Sequence, residues 1–166
     1  MINFYTFLFI LSIIIIFAFL KILIILIKRK THNKTTYKQK IQKGKEYEYQ
    51  IMQFYKNKNY TVYPKGYIEK KQDEGIDIIA YKENEILLIQ CKNWTNAPKQ
   101  KEIKVFITDC EVYLNKNKET IKNKTIRKIF VTSYEKIDYG VKLFLDKFNK
   151  ENQIKIEYII IQYNKN

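Results

Sequence analysis

Residues 85–94 read EILLIQCKNW. From Glu85 to Ile89 the run is short and apolar, and a K-E-N-E cluster precedes it, which predicts a buried strand. Gln90 and Lys92 then arrive at its end, one residue apart and so, by the two-residue period of a strand, on one face. An amide and an ammonium side by side at the end of so apolar a strand call for a partner. Residues 76–81 form a second apolar run just upstream. If Glu83 and Asn84 make a two-residue hairpin loop, Lys82 faces Glu85, Ile79 faces Leu88 and Asp77 faces Gln90. Directly opposed residues point to the same side of a sheet, so Asp77, Gln90 and Lys92 are expected to cluster.

The cluster has a chemical use. A carboxylate and an amide oxygen, with the Cys91 main-chain carbonyl between them, are hard oxygen donors suited to a divalent cation. A nearby ammonium can position an attacking water, and its pKa moves readily when it is partly buried. The same three side chains also suit a plain Asp–Lys ion pair at a sheet edge with Gln90 as a hydrogen-bonding neighbour.

Composition narrows the choice. The chain has 166 residues, room for one domain with a sizeable core and an appendage, and only 4 Gly and 2 Pro, so it is not a disordered or repeat sequence. Its net charge of +14 favours polyanions, either nucleic acid or an anionic membrane surface. The only histidine, His32, lies in a basic stretch, which excludes nucleophilic triads built on His. Cys91 and Cys110 lack metal or redox spacing and read as core thiols in a reducing compartment.

Residues 4–27 are mostly apolar with Lys21 as their one charge and, as a helix at about 1.5 Å per residue, would reach roughly 36 Å. That predicts a single transmembrane helix, with residues 1–27 as anchor, rather than a cleaved signal peptide or a core helix. Between Lys28 and Lys45 there are eight basic residues and no acidic one. Residues 28–43 are therefore expected to form a basic linker. The positive-inside rule puts the following domain, residues 44–164, in the cytoplasm, anchored single-pass to the inner membrane.

Within that domain residues 43–58 predict an amphipathic helix and residues 60–63 a strand, followed by a turn at Pro64-Lys65-Gly66. The paired strands 76–81 and 85–92 come next. A helix over 99–114, a strand over 125–132, a helix over 136–148 and a strand over 154–161 complete the order αβββαβαβ, an α/β fold with a mixed sheet flanked by helices. Lys99, Lys101 and Lys104 could track phosphates, or simply form a solvated face. Trp94 reads as a cap on the core more readily than as a base-stacking residue.

Three segments carry a resemblance. Gly44 with Tyr47-Glu48, then Asp73-Glu74-Gly75-Ile76-Asp77, then Gln90-Cys91-Lys92 resemble the PD-(D/E)XK nuclease superfamily, most closely the Mrr-like restriction endonucleases. The resemblance covers about residues 41–161 and implies a restriction-endonuclease-like αβββαβ core. By it, Asp77 is the metal-binding acid, Gln90 stands where many relatives carry Glu, Lys92 is the catalytic lysine, and Glu48 completes the site. It implies hydrolysis of DNA phosphodiester bonds with Mg²⁺, or Mn²⁺ in its place; joined to the anchor expected from residues 4–27, this gives a membrane-anchored enzyme of restriction or defence, for which a homodimer would supply the two active sites of a double-strand cut. Gln90 removes one negative charge from the metal site, and with it arises the alternative of a nuclease fold that binds DNA at the membrane with little or no turnover. A third expectation, a membrane-surface protein whose charge serves lipid alone, needs no active site.

Overall fold

A computed structural model describes residues 3–65 and 75–164. The chain divides into two units, Met1–Gln42 and Lys43–Asn166. The first consists of the N-terminal part of helix α1, which is continuous over Phe4–Lys56. Apolar side chains of this part, Phe17 and Ile25 among them, are exposed.

Among the described residues no helix is long and apolar enough to cross a membrane. This corrects the transmembrane helix expected from residues 4–27. That segment is not an element of its own but the start of a 53-residue helix that continues through the basic stretch.

In the second unit the end of α1 is followed by β1 (Thr61–Pro64), β2 (Ile78–Lys82), β3 (Glu85–Lys92), α2 (Gln100–Lys116), β4 (Thr125–Thr132), α3 (Tyr139–Glu151) and β5 (Ile156–Ile160). This is the expected order. Gly66 of the anticipated turn, and Asp73 and Glu74, lie outside the described residues. The strands form one mixed sheet in the order β1-β2-β3-β4-β5. β1, β2 and β3 pair antiparallel, and β3, β4 and β5 pair parallel. A parallel step needs a crossover, which α2 and α3 supply.

Each face of the sheet has its own core. Ile78, Ala80, Leu87, Ile89, Cys91, Ile129 and Val131 pack with Tyr47, Ile51 and Tyr55 of α1. On the other face Ile79, Ile86, Leu88 and Phe130 pack with Ile103, Phe106 and Cys110 of α2 and with Val141 and Leu145 of α3. Covered on both sides, β3 is apolar along most of its length, as a central strand must be. Both thiols are free and buried, and burial pushes Cys110 up to about 12.

Two features fasten the layers. The chain after β5 is tied to α1: Tyr47 Oη donates to the Ile161 carbonyl (2.8 Å), Gln50 Nε2 to that of Gln162 (2.7 Å), and Tyr163 Oη to Glu46 (2.5 Å). On the other face Lys128 of β4, only 2% exposed, forms an ion pair with Glu111 of α2. α3 begins later than the expected residue 136 because Asp138 caps it, accepting from the N–H groups of Gly140 (3.0 Å) and Val141 (3.3 Å).

Candidate active site

The β2–β3 hairpin has the expected register, from Lys82 opposite Glu85 to Ile78 opposite Ile89. Glu83 opens its two-residue loop at φ 50°, a left-handed conformation that such tight connections require. At Asp77 the ladder slips. The Asp77 N–H donates to the Ile89 carbonyl (2.9 Å), so two residues of one strand meet one of the other, as in a bulge. Asp77 therefore does not continue the ladder opposite Gln90. Instead its side chain turns to the strand end, where Oδ2 accepts from the Cys91 N–H at 2.6 Å. A carboxylate has further lone pairs, so this contact leaves it able to accept more.

Gln90 is 4% exposed, and its Oε1 has no hydrogen-bond partner among the described residues. An unsatisfied buried carbonyl oxygen costs about 1–3 kcal/mol, so a site that retains one is built for a donor or a cation. N–H and C=O of one strand residue point the same way, so the Cys91 carbonyl lies on the side of the strand that meets Asp77. Carboxylate, amide oxygen and carbonyl are the hard donor set a divalent cation such as Mg²⁺ or Mn²⁺ takes, and the residues present fit one. Among the described residues no three His, Cys, Asp or Glu side chains gather as a metal cluster. Of the donors Asp77, Gln90 and the Cys91 carbonyl, Asp77 brings the carboxylate.

Electrostatics links the other members. The Cys91 thiol is raised well above its ordinary value, first by burial, then by the negative charges of Asp77 and Glu48, with Lys92 acting against them. Asp77, Glu48 and Lys92 thus all act on one strand end. They reach it from different directions, because Cys91 packs on the α1 side while Gln90 belongs to the opposite side of β3. Lys92 is half-buried, and its Nζ sits 5.5 Å from the centre of the Trp94 ring. Trp94 does not cap the core: it is 43% exposed. This corrects the sequence expectation, and the reason is positional, since Trp94 lies two residues past the end of β3, outside the part of the strand that both cores cover.

The strand end is pinned by residues the sequence did not single out. Thr132 Oγ1 and the Ser133 N–H both donate to the Lys92 carbonyl (3.0 and 3.1 Å). Ser133 Oγ donates to Asn93 Oδ1 (2.8 Å), and Asn93 Nδ2 donates to the Lys43 carbonyl at the start of this unit (3.1 Å). Asn93 thereby joins the strand bearing Lys92 to the helix bearing Glu48. A polar residue at the end of so apolar a strand was the available signal. Gly75, at φ 59°, would carry a side chain only under backbone strain and with Asp109 of α2 displaced, because a Cβ there would lie 1.9 Å from Asp109 Oδ2.

The three lysines do not form one set. Lys99 is tied to Asp138 (2.5 Å), which raises the Lys99 pKa and lowers that of Asp138. Lys104 lies over the Phe144 ring at 5.3 Å, and Lys101 is exposed. Lys101 and Lys104 line a groove of about 570 Å³ along α2 with Gln100, Val105, Thr108 and Asp109. That groove runs to the residue that meets Gly75, two positions before Asp77.

Comparison with curated proteins returns no match. The family model described as restriction endonuclease, the Mrr catalytic domain, matches residues 39–135. That stretch contains α1 from Gln39, the hairpin, the strand end and all of α2 and β4, and it covers more than half of the chain, which therefore belongs to the Mrr-like restriction endonuclease family.

Proposed function

We propose that this chain is a divalent-metal-dependent DNA endonuclease whose active site is Asp77, Gln90, Cys91, Lys92 and Glu48. The observation that carries the reading is the buried Oε1 of Gln90, without a hydrogen-bond partner among the described residues, one position before the Cys91 N–H that the Asp77 carboxylate binds. Asp77, Gln90 Oε1 and the Cys91 carbonyl would hold the cation. A cation bound there supplies charge neutralisation on the phosphate and a lowered pKa for a bound water. Lys92 would compensate phosphate charge and position an attacking water, and Glu48, reaching the strand end from α1, would accept a hydrogen bond there. The net charge of +14 draws the DNA backbone in, and Lys101 with Lys104 extends the track along α2. Cutting of incoming foreign DNA is the role that fits a restriction-type domain.

A second reading, DNA binding without turnover, draws on the neutral amide that Gln90 brings to the donor set. One experiment separates the two. The full chain is incubated with supercoiled plasmid and Mg²⁺ or Mn²⁺, beside Asp77→Ala and Lys92→Ala. Loss of a metal-stabilising or proton-handling group costs about 10²–10⁴ in rate, so nicking that falls at least about 100-fold in both variants supports the enzyme. Cleavage unchanged in both would overturn the site. Salt-sensitive retention of plasmid without nicking would establish the second reading.

A further inference from the structure

Trp94 is the chain's only tryptophan. It follows Lys92 by two residues, remains 43% exposed, and, among the described residues, has the Lys92 ammonium as its one charge or ring contact. Its indole N–H makes no hydrogen bond among those residues. The preceding backbone is fixed by Thr132, Ser133 and Asn93, so the ring is presented from a pinned strand end rather than from a loose loop.

We propose that Trp94 is a stacking platform for a nucleobase of the DNA strand being cut. The proposal rests on the nuclease reading of Lys92 and adds to it a base subsite. An indole face takes any of the four bases, because each has a π-face. Aromatic stacks hold ring centres about 4.5–7 Å apart, and the ammonium is 5.5 Å from the indole centre, so the stacked base lies within about 12 Å of Lys92. At about 3.4 Å per nucleotide along one strand, it belongs to a nucleotide no more than about four steps from the scissile phosphate. A base inside an intact duplex is already stacked on both sides. The subsite therefore selects a base that is unpaired or turned out of the helix, which gives this small domain a means of preferring distorted, single-stranded or end-frayed DNA without reading sequence.

Because Trp94 is the only indole, its emission excited at the red edge, clear of the 14 tyrosines, reports the contact directly. The full chain in chelator, so that nothing is cut, is titrated with an end-labelled single-stranded oligonucleotide while label anisotropy follows binding. Expected is quenching of Trp94 that saturates with the anisotropy. A strand of abasic sugar-phosphate units of equal length is expected to bind without quenching. Trp94→Leu should keep its melting curve and lose about 5- to 150-fold in affinity for the base-bearing strand only. Saturated binding with unchanged Trp94 emission, or equal quenching by the abasic strand, would overturn the stacking role while leaving the nuclease reading intact. Absence of any anisotropy change would overturn the DNA reading itself, and the stacking role with it.

Discussion

Replacing Gln90 by Met should make the protein more stable and less active, and the size of the effect follows from the burial. The Gln90 side chain is 4% exposed and its Oε1 has no partner among the described residues. Such an acceptor costs about 1–3 kcal/mol, whereas a volume-conserving swap to Met costs under about 1.5 kcal/mol in packing. The net expectation is a gain of about 1 kcal/mol, read as a rise in melting temperature of about 4 °C for a domain of this size. Mg²⁺ should act in the opposite sense on the pair. At ten times its Kd a bound ion stabilises the folded chain by about 1.4 kcal/mol. The natural protein is expected to show most of that gain and Gln90→Met little of it, so the gap between them closes as Mg²⁺ is added. Circular-dichroism melts at several Mg²⁺ concentrations, with plasmid nicking alongside, make the measurement. A destabilisation of more than about 1 kcal/mol in Gln90→Met, or equal Mg²⁺ shifts in both proteins, would refute the reasoning.

Gly75→Ala forces a side chain onto a backbone at φ 59° and into Asp109. It should cost about 1–2 kcal/mol of stability or more and slow nicking, with Asp109→Ala in the same chain restoring part of the loss. At Lys128 the asymmetry of buried charges should show: Lys128→Met is expected to be neutral or stabilising, and Glu111→Ala to destabilise by about 1–3 kcal/mol. The half-exposed Glu111 keeps that loss below the full penalty of a sealed pair, and urea melts decide the order of the two variants. Asp138 gives a pH signature. Its pKa is lowered, first by the Lys99 hydrogen bond, so its contribution is fully present above the unfolded value near 3.9 and is lost as pH falls through the lower folded one. Between about pH 5 and pH 3 the natural protein should therefore lose more melting temperature than Asp138→Asn, and equal slopes would contradict the assignment.

The elements that could be read from sequence are those whose burial is set by local pattern. β3 and β4 fall on the residues expected because long apolar runs flanked by polar clusters leave little choice. β2 begins two residues later than expected, because the slip at Asp77 is a matter of which carbonyl its N–H finds, and no pattern of side chains records that. The hairpin register did bring Asp77 to the right strand end, though by its carboxylate bonding the Cys91 N–H rather than by continued pairing. The N-terminal segment reads from its own apolar residues as a separate element, whereas the helix runs on through the basic stretch to Lys56, and among the described residues no helix is long and apolar enough to cross a membrane. Trp94 misled for a different reason: whether a ring after the last strand residue is covered depends on elements distant in sequence. The ties of Asn93 to Lys43 and Ser133 bridge 50 and 40 residues and were out of reach of any local reading.

The clasp between α1 and the chain after β5 joins residues 114 apart. At a synthesis rate of about 5–20 residues per second, Tyr47 waits roughly 6–23 s after emerging before Ile161 exists to receive its hydroxyl. Through that interval Tyr47, Ile51 and Tyr55 lack much of the sheet they pack on, and Glu48 has no fixed place beside the strand end. A chain not yet made as far as Ile161 therefore carries its first helix without the clasp, and the layers that α1 and the sheet form can close fully only once that residue exists.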